Sequence, residues 1–171
     1  GREPWRCRTN TDSQASVFAR SSGKSINSTE LLSGYQVVMA QRYRVFLVED
    51  SPAIRETLVN SVESSGHIEV VGFAESADEA WTRLQQTPVD AVLIDLRLTN
   101  GTGFDVLARL RGTPDLKHLV KIVLTNYGSP AFRQRCMALG ADYFFDKSLE
   151  FDGVVDLLNG LATGSSNPVA G

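Results

Sequence analysis

Five polar side chains hold most of the chemistry this sequence can perform. Glu49 and Asp50 follow the apolar run Val45-Phe46-Leu47-Val48, and Asp95 follows Ala91-Val92-Leu93-Ile94. Thr125 ends the run that begins at Val120, and Lys147 stands just past the run Ala141 to Phe145. Three carboxylates, one hydroxyl and one ammonium therefore share the same position relative to an apolar segment. If the runs at 45 and 91 are neighbouring strands, the carboxylates converge. Two such charges about 4 Å apart repel by about 4 kcal/mol at an effective dielectric of 20, so the cluster calls for a cation. Oxygen donors without His or Cys favour a hard ion such as Mg²⁺, whose shell is commonly completed by phosphate oxygens. With Lys147 as a second positive charge and Thr125 as a hydroxyl, these are the parts that stabilise a transferring phosphoryl group.

Taken singly, each residue has a plainer reading. An Asp at a strand end is usually a turn former or helix cap. Glu49-Asp50 reads as an anionic pair at a helix N-terminus, Thr125 as a loop cap and Lys147 as a solvated charge. Their common placement in the order ED, D, T, K is what argues for a site.

The elements that must position them alternate. Arg44 to Val48 reads as a strand, and Ser51-Pro52 supplies an N-cap with proline at the first helical position. Ile54, Leu58 and Val62 form one helical stripe that Gly66 closes. Val70 to Phe73 reads as a second strand, and Ser76-Ala77-Asp78-Glu79 as a capping box opening a helix with Ala80, Trp81 and Leu84. The continuous run Ala91 to Ile94 suits a central parallel strand covered on both faces. Phe104, Leu107, Ala108 and Leu110 mark a third helix, closed at Gly112. Val120 to Leu124 is a fourth strand, Pro130 to Leu139 a helix with Gly140 beyond it, Ala141 to Phe145 a fifth strand and Phe151 to Leu161 the last helix. Five strand and helix units in about 120 residues call for one doubly wound α/β domain with a parallel sheet, because a closed eight-fold barrel needs about twice the length. Such sheets bind ligands at the carboxyl ends of their strands.

Composition narrows the class further. Of 171 residues, 42% are hydrophobic and 22% charged, with a net charge of -3, which is enough apolar material for a core. Lys and Arg are denser before residue 41 than after it, where Asp and Glu outnumber them. No basic stripe marks a nucleic-acid surface, so direct nucleic-acid binding is not expected. No apolar run is long enough for membrane insertion, and no signal-peptide pattern opens the chain, from which a cytoplasmic location is expected. Cys7 and Cys136 stand far apart without histidine neighbours, against a zinc site or disulfide framework. Residues 1–41 read as a flexible N-terminal extension, 42–162 as the folded domain and 163–171 as a flexible tail.

The segments Val45-Phe46-Leu47-Val48-Glu49-Asp50-Ser51, Val92-Leu93-Ile94-Asp95-Leu96, Ile122-Val123-Leu124-Thr125 and Gly140-Ala141-Asp142-Tyr143-Phe144-Phe145-Asp146-Lys147-Ser148 together resemble the receiver domain of two-component response regulators. The resemblance covers residues 43 to 162. It implies a flavodoxin-like sheet in the order 2-1-3-4-5 with helices on both faces. It also implies Asp95 as phosphoacceptor, and Glu49, Asp50, Asp95 and the backbone carbonyl of Arg97 as the Mg²⁺ site. Thr125 and Lys147 would contact the phosphoryl oxygens, and Phe144 falls at the family's aromatic switch position, paired with Thr125. The implied donor is a sensor histidine kinase or a histidine phosphotransfer protein, the implied output an unidentified downstream protein. The implied catalysis is limited to the domain's own phosphorylation and dephosphorylation. The ten residues from Ala162 onward are too few for an effector domain, which points to the single-domain type.

Departures from the family pattern carry their own expectations. Thr99 stands where proline is frequent, implying a more mobile loop from Leu96 to Gly103. Ser148 follows the lysine where a proline in a cis peptide is usual, and a non-prolyl cis bond costs about 2.5 to 4 kcal/mol. Asn126 is larger than the usual residue after the threonine, and with the Arg97 side chain it stands to restrict access to Asp95. Two alternatives lie outside this reading. Asp95-Leu96-Arg97-Leu98-Thr99 resembles the D-x-D-x-T loop of haloacid-dehalogenase-type phosphatases, with Arg97 replacing the second Asp and Asp95 following a third rather than a first strand. A constitutive interaction module is the other, against which stands the presence of all five site residues.

Overall fold

The structure is a computed structural model and describes residues 41–165. Of the expected N-terminal extension only Gln41, and of the expected C-terminal tail only residues 163–165, lie within the described residues.

The strands are β1 (Tyr43–Val48), β2 (Ile68–Ala74), β3 (Ala91–Ile94), β4 (Val120–Thr125) and β5 (Tyr143–Asp146). The helices are α1 (Pro52–Glu63), α2 (Ala77–Leu84), α3 (Gly103–Arg111), α4 (Pro130–Ala138) and α5 (Phe151–Thr163). All strand pairs are parallel and the order is β2-β1-β3-β4-β5, a flavodoxin-like doubly wound sheet. A strand in its interior is covered on both sides, which is why β3 and residues Val45 to Val48 of β1 are unbroken apolar runs. Along β1 the side chains alternate between layers: Val45 and Leu47 pack with Leu58, Val62, Val154 and Leu158 under α1 and α5. Phe46 and Val48 face the other way, onto Ala80, Leu84, Leu107 and Cys136 of α2, α3 and α4. A single-residue slip would exchange the two layers, so register is fixed by packing.

Element ends differ from the sequence reading where capping decides. Ala141 does not begin β5, because its N–H is bonded to the Cys136 carbonyl in the turn that closes α4. Helix α5 runs past Leu161 to Thr163 and is stopped by Gly164 at φ +67°, a conformation other residues rarely adopt. The Ser76 box is incomplete: the serine accepts the Glu79 N–H, but Glu79 turns back to the N–H of Glu75 instead of that of Ser76. The complete box is at Thr102 and Asp105, opening α3.

That box is one of several bonds on the loop after β3. Beyond the Thr102 and Asp105 exchange, Gly103 N–H donates to the Leu96 carbonyl, Ala77 N–H to the Asn100 carbonyl, and Thr99 Oγ1 to Asp50 Oδ2 at 2.8 Å. The loop is tied at four places. Gly103 is the closest tie: a Cβ there would sit 2.3 Å from the Asp95 carbonyl oxygen and 2.9 Å from Ile94 Cγ2. Only glycine lets α3 begin so near the Asp95 backbone.

Candidate active site

The carboxyl edge of the sheet is pinned by backbone bonds that continue past the strand ends. Glu49 N–H donates to the Ala74 carbonyl, Asp95 N–H to the Val48 carbonyl and Lys147 N–H to the Thr125 carbonyl, at 2.9, 2.9 and 3.0 Å. Residues from β1, β3 and β5 are thereby held at one level, and the side chains meet there. Lys147 Nζ donates to Glu49 Oε2 at 2.5 Å and to Asp95 Oδ2 at 2.7 Å. The three side chains are 6%, 3% and 11% exposed. One ammonium thus bridges two carboxylates 46 positions apart, almost out of water.

Burial pushes the Glu49 carboxyl above its usual range, and the Lys147 ammonium pulls it partly back. Its other oxygen accepts the Ser51 N–H at 3.1 Å, where α1 begins. Arg55, one turn on, donates to the Glu49 carbonyl at 2.8 Å, so the acid's backbone is fixed as well. Asp50 is half-buried and accepts the Thr99 hydroxyl. Thr125 is completely buried, and its Oγ1 accepts the Tyr127 N–H at 3.3 Å, leaving its own proton to donate. Charges of Glu49, Asp50 and Asp95 exceed that of Lys147 by two, in a setting of oxygen donors only. An edge so built in a parallel sheet of this order, with an acid after β3, matches one known architecture.

The receiver domain of response regulators matches residues 45–159 by its family model. The chain belongs to the response regulator receiver family. It is 34% identical over 112 residues to a gliding motility regulatory protein of Myxococcus xanthus, a match covering 66% of this chain and 14% of that protein. It is 32% identical over 114 residues to the acid tolerance regulatory protein ActR of Rhizobium meliloti, covering 67% of this chain and 57% of the relative. The match thus spans little more than half of one relative and far less of the other. Among solved structures, the signal receiver domain of the response regulator NarL from Mycobacterium tuberculosis superposes with a TM-score of 0.65 at 25% identity, covering 72% of this chain and 98% of that one.

Within this receiver domain the remaining expected residues are placed as follows. Phe144 is 4% exposed and packs in the layer with Val123, Cys136 and Ala141, with the Arg133 guanidinium 4.9 Å from its ring centre. Arg97 directs its N–H to Asp95 Oδ1 at 3.3 Å, while its guanidinium hydrogen-bonds the Tyr127 hydroxyl and lies over that ring. Asn126 lines a cleft of about 330 Å³ beside Lys147, with Ala53, Ile54, Thr57 and Phe151. No peptide bond among the described residues is cis, so Lys147–Ser148 is trans. Ser148 instead donates its N–H to Asp146 Oδ1 at 2.8 Å. Three participants escaped the sequence reading: Thr99 as the partner of Asp50, Tyr127 as the partner of Arg97, and Arg55 on the Glu49 backbone. Spacing alone signals none of them, since each depends on a loop crossing or a long side chain.

Among the described residues no three His, Cys, Asp or Glu side chains are gathered as a ligand set. Lys147 Nζ bonds both Glu49 and Asp95. The same residues fit a hard divalent ion by donor type and by their two unbalanced negative charges. No helix among the described residues is long and apolar enough to cross a membrane.

Proposed function

We propose that this domain accepts a phosphoryl group on Asp95 from a histidine kinase or histidine phosphotransfer protein and thereby switches a protein-binding surface in a two-component pathway. The observation that carries this is the Lys147 ammonium on Asp95 and Glu49, beside Asp50 and within reach of β4's Thr125. An Asp95 carboxylate oxygen attacks phosphorus, the bond from phosphorus to the donor's imidazole nitrogen breaks, and the imidazole leaves with the electron pair and takes up a proton. Lys147 neutralises the acceptor and the non-bridging oxygens, and the Thr125 hydroxyl donates to one of those oxygens. Asp50, Asp95, the Arg97 carbonyl and Glu49, released from Lys147, would hold Mg²⁺. When bound, Mg²⁺ supplies charge neutralisation to the equatorial oxygens.

The domain is read as an acceptor that catalyses its own modification, not as a turnover enzyme. A haloacid-dehalogenase-like phosphatase would carry its nucleophile after the first strand, whereas Asp95 follows β3 in the chain. The output surface is α4 with its leading loop: of its side chains only Cys136 is buried, and Tyr127, Phe132 and Met137 are large and exposed. Phe144 lies beneath this surface and is the residue whose ring would follow Thr125 toward the phosphoryl group. Amide spectra recorded with beryllofluoride and Mg²⁺ test the reading. Shifts centred on Asp95, Thr125 and Lys147 that vanish without Mg²⁺ are expected. Unchanged spectra at those residues would reject it.

A further inference from the structure

We infer that Arg55 is a positioning residue for Mg²⁺ binding: held by a ring of contacts around Phe73 at the edge of the sheet, it fixes the backbone from which Asp50 reaches the ion. The inference rests on the Mg²⁺-dependent acceptor reading above. The Arg55 side chain is 12% exposed, and its one guanidinium serves three neighbours. One terminal nitrogen donates to the Glu49 carbonyl at 2.8 Å. The other pairs with Glu75 Oε1, also at 2.8 Å, and Cζ lies 4.2 Å from the centre of the Phe73 ring. Arg83 approaches the same ring, 5.8 Å from its centre, and is paired in turn with Glu79 Oε1 at 2.7 Å. The second Glu79 oxygen accepts the Glu75 N–H at 3.0 Å, so the circuit closes on itself. It joins α1, the end of β2 and α2, and it touches the site at the Glu49 carbonyl.

The Glu49 carbonyl belongs to the peptide unit whose plane also contains the Asp50 nitrogen and Cα. Holding its oxygen restricts rotation on both sides of that plane, and with it the direction in which the Asp50 carboxylate leaves the chain. Thr99 fixes the far end of Asp50 through Oδ2 at 2.8 Å. Mg²⁺ demands near-ideal placement of its oxygen donors, so a ligand whose backbone drifts loses affinity. The charge of the guanidinium works in the opposite direction, because a cation behind the acids repels a second cation, and Glu75 offsets that charge. The two effects differ in sign. Acting through its charge, Arg55 would weaken Mg²⁺ binding, and its removal would tighten it. Acting through the carbonyl, Arg55 strengthens binding, and its removal weakens it. Phe73 sharpens the distinction: it is 40% exposed, bears no charge and offers no metal donor, so in the folded protein it influences the ion through the arginine it stacks on.

The test is a Mg²⁺ titration of the full chain without a phosphodonor, followed by the amide shifts of Asp50 and Asp95, on protein shown by circular dichroism to be folded. Arg55→Ala is expected to raise the Mg²⁺ Kd roughly tenfold, the scale for losing a group that orients a metal ligand. Phe73→Ala should raise it about threefold, the scale of a partly exposed contact between a cation and a ring. It should add nothing where Arg55 is already alanine, because both act on the same carbonyl. Arg55→Lys keeps a donor for the carbonyl but cannot also bridge to Glu75 and cover the ring, and should fall between alanine and wild type. The Mg²⁺ concentration for half-maximal labelling by acetyl phosphate should rise by the same factors. A Kd within twofold of wild type in either alanine variant, a tighter Kd in Arg55→Ala, or independent effects of the two substitutions would each overturn the inference while leaving the acceptor reading intact. Should Arg55→Ala fail to fold, Phe73→Ala and Arg55→Lys decide by the same limits. No Mg²⁺ response at Asp50 and Asp95 in the folded wild type would overturn the metal reading, and the inference with it.

Discussion

Replacing Lys147 by methionine removes the ammonium that Glu49 and Asp95 both contact, leaving the three carboxylates of the site in place. At 2.5 and 2.7 Å, with side chains at most 11% exposed, solvent screening of these contacts is weak. Each corresponds to about 6 kcal/mol of gross attraction at an effective dielectric of 20, largely offset by the desolvation of the ions. Taking away one partner of a buried pair leaves that desolvation uncompensated, and the expected loss is about 3 to 5 kcal/mol of folding free energy at pH 7.5. Glu49 supplies the pH signature. Burial already raises its pKa in the folded state, and Lys147 opposes the rise. Without Lys147 the folded pKa climbs further above the unfolded value. A raised carboxyl penalises the fold when ionised, so the penalty grows as pH rises through the window above 4.5 and is relieved as pH falls back toward it. Urea unfolding followed by circular dichroism at pH 5.0 and 7.5, on wild type and variant, measures the difference, and carboxyls that do not touch Lys147 cancel in the comparison. The gap should be smaller at pH 5.0, and adding Glu49→Gln should recover part of it at pH 7.5. A variant as stable as wild type, or a gap that widens toward pH 5.0, would refute the reasoning.

Gly103→Ala should cost about 1 to 3 kcal/mol in urea unfolding, since its methyl would overlap the Asp95 carbonyl, and should also slow labelling of Asp95 by moving the acceptor. Thr125→Ala should cost about 1 kcal/mol of stability by leaving the Tyr127 N–H without its acceptor, and should weaken the response of the α4 loop to beryllofluoride in amide spectra. Phe144 ring contacts to the Thr125 loop, followed by NMR, should increase on adding beryllofluoride with Mg²⁺; unchanged contacts beside a clear response at Asp95 would remove Phe144 from the switch. Cys136, buried and with its thiol pushed up to about 11, should resist thiol reagents at pH 8 in the native protein and react once the protein is unfolded in urea, as peptide mapping would show.

The placement of the candidate site was largely legible because its residues sit where strands end, and apolar runs such as Ala91 to Ile94 show those ends without a structure. Glu49, Asp50, Asp95, Thr125 and Lys147 all occupy the edge that the doubly wound topology assigns to ligands. What the sequence did not disclose depends on where long or small side chains meet across loops. Thr99 looked like a missing proline, and only the folded loop turns its hydroxyl onto Asp50. Tyr127 had no sequence signal, because its bond to Arg97 joins loops 30 positions apart. The caps illustrate the same limit: Ser76 and Thr102 are both followed three residues later by an acid, yet only Asp105 reaches back to its cap, while Glu79 is drawn to Glu75. Ala141 is apolar and adjoins a strand, but a helix-closing bond claims its N–H. Pattern identifies the elements; hydrogen-bond competition sets their ends.

The claim on which the account depends is that Asp95 accepts a phosphoryl group with the help of Mg²⁺. Intact mass of the full chain after incubation with acetyl phosphate measures it directly. The account predicts the gain of one phosphoryl group with Mg²⁺, none with a chelator, and none in Asp95→Asn, whose circular dichroism should match wild type. Full labelling of Asp95→Asn, or none of a folded wild-type protein supplied with Mg²⁺, would contradict it.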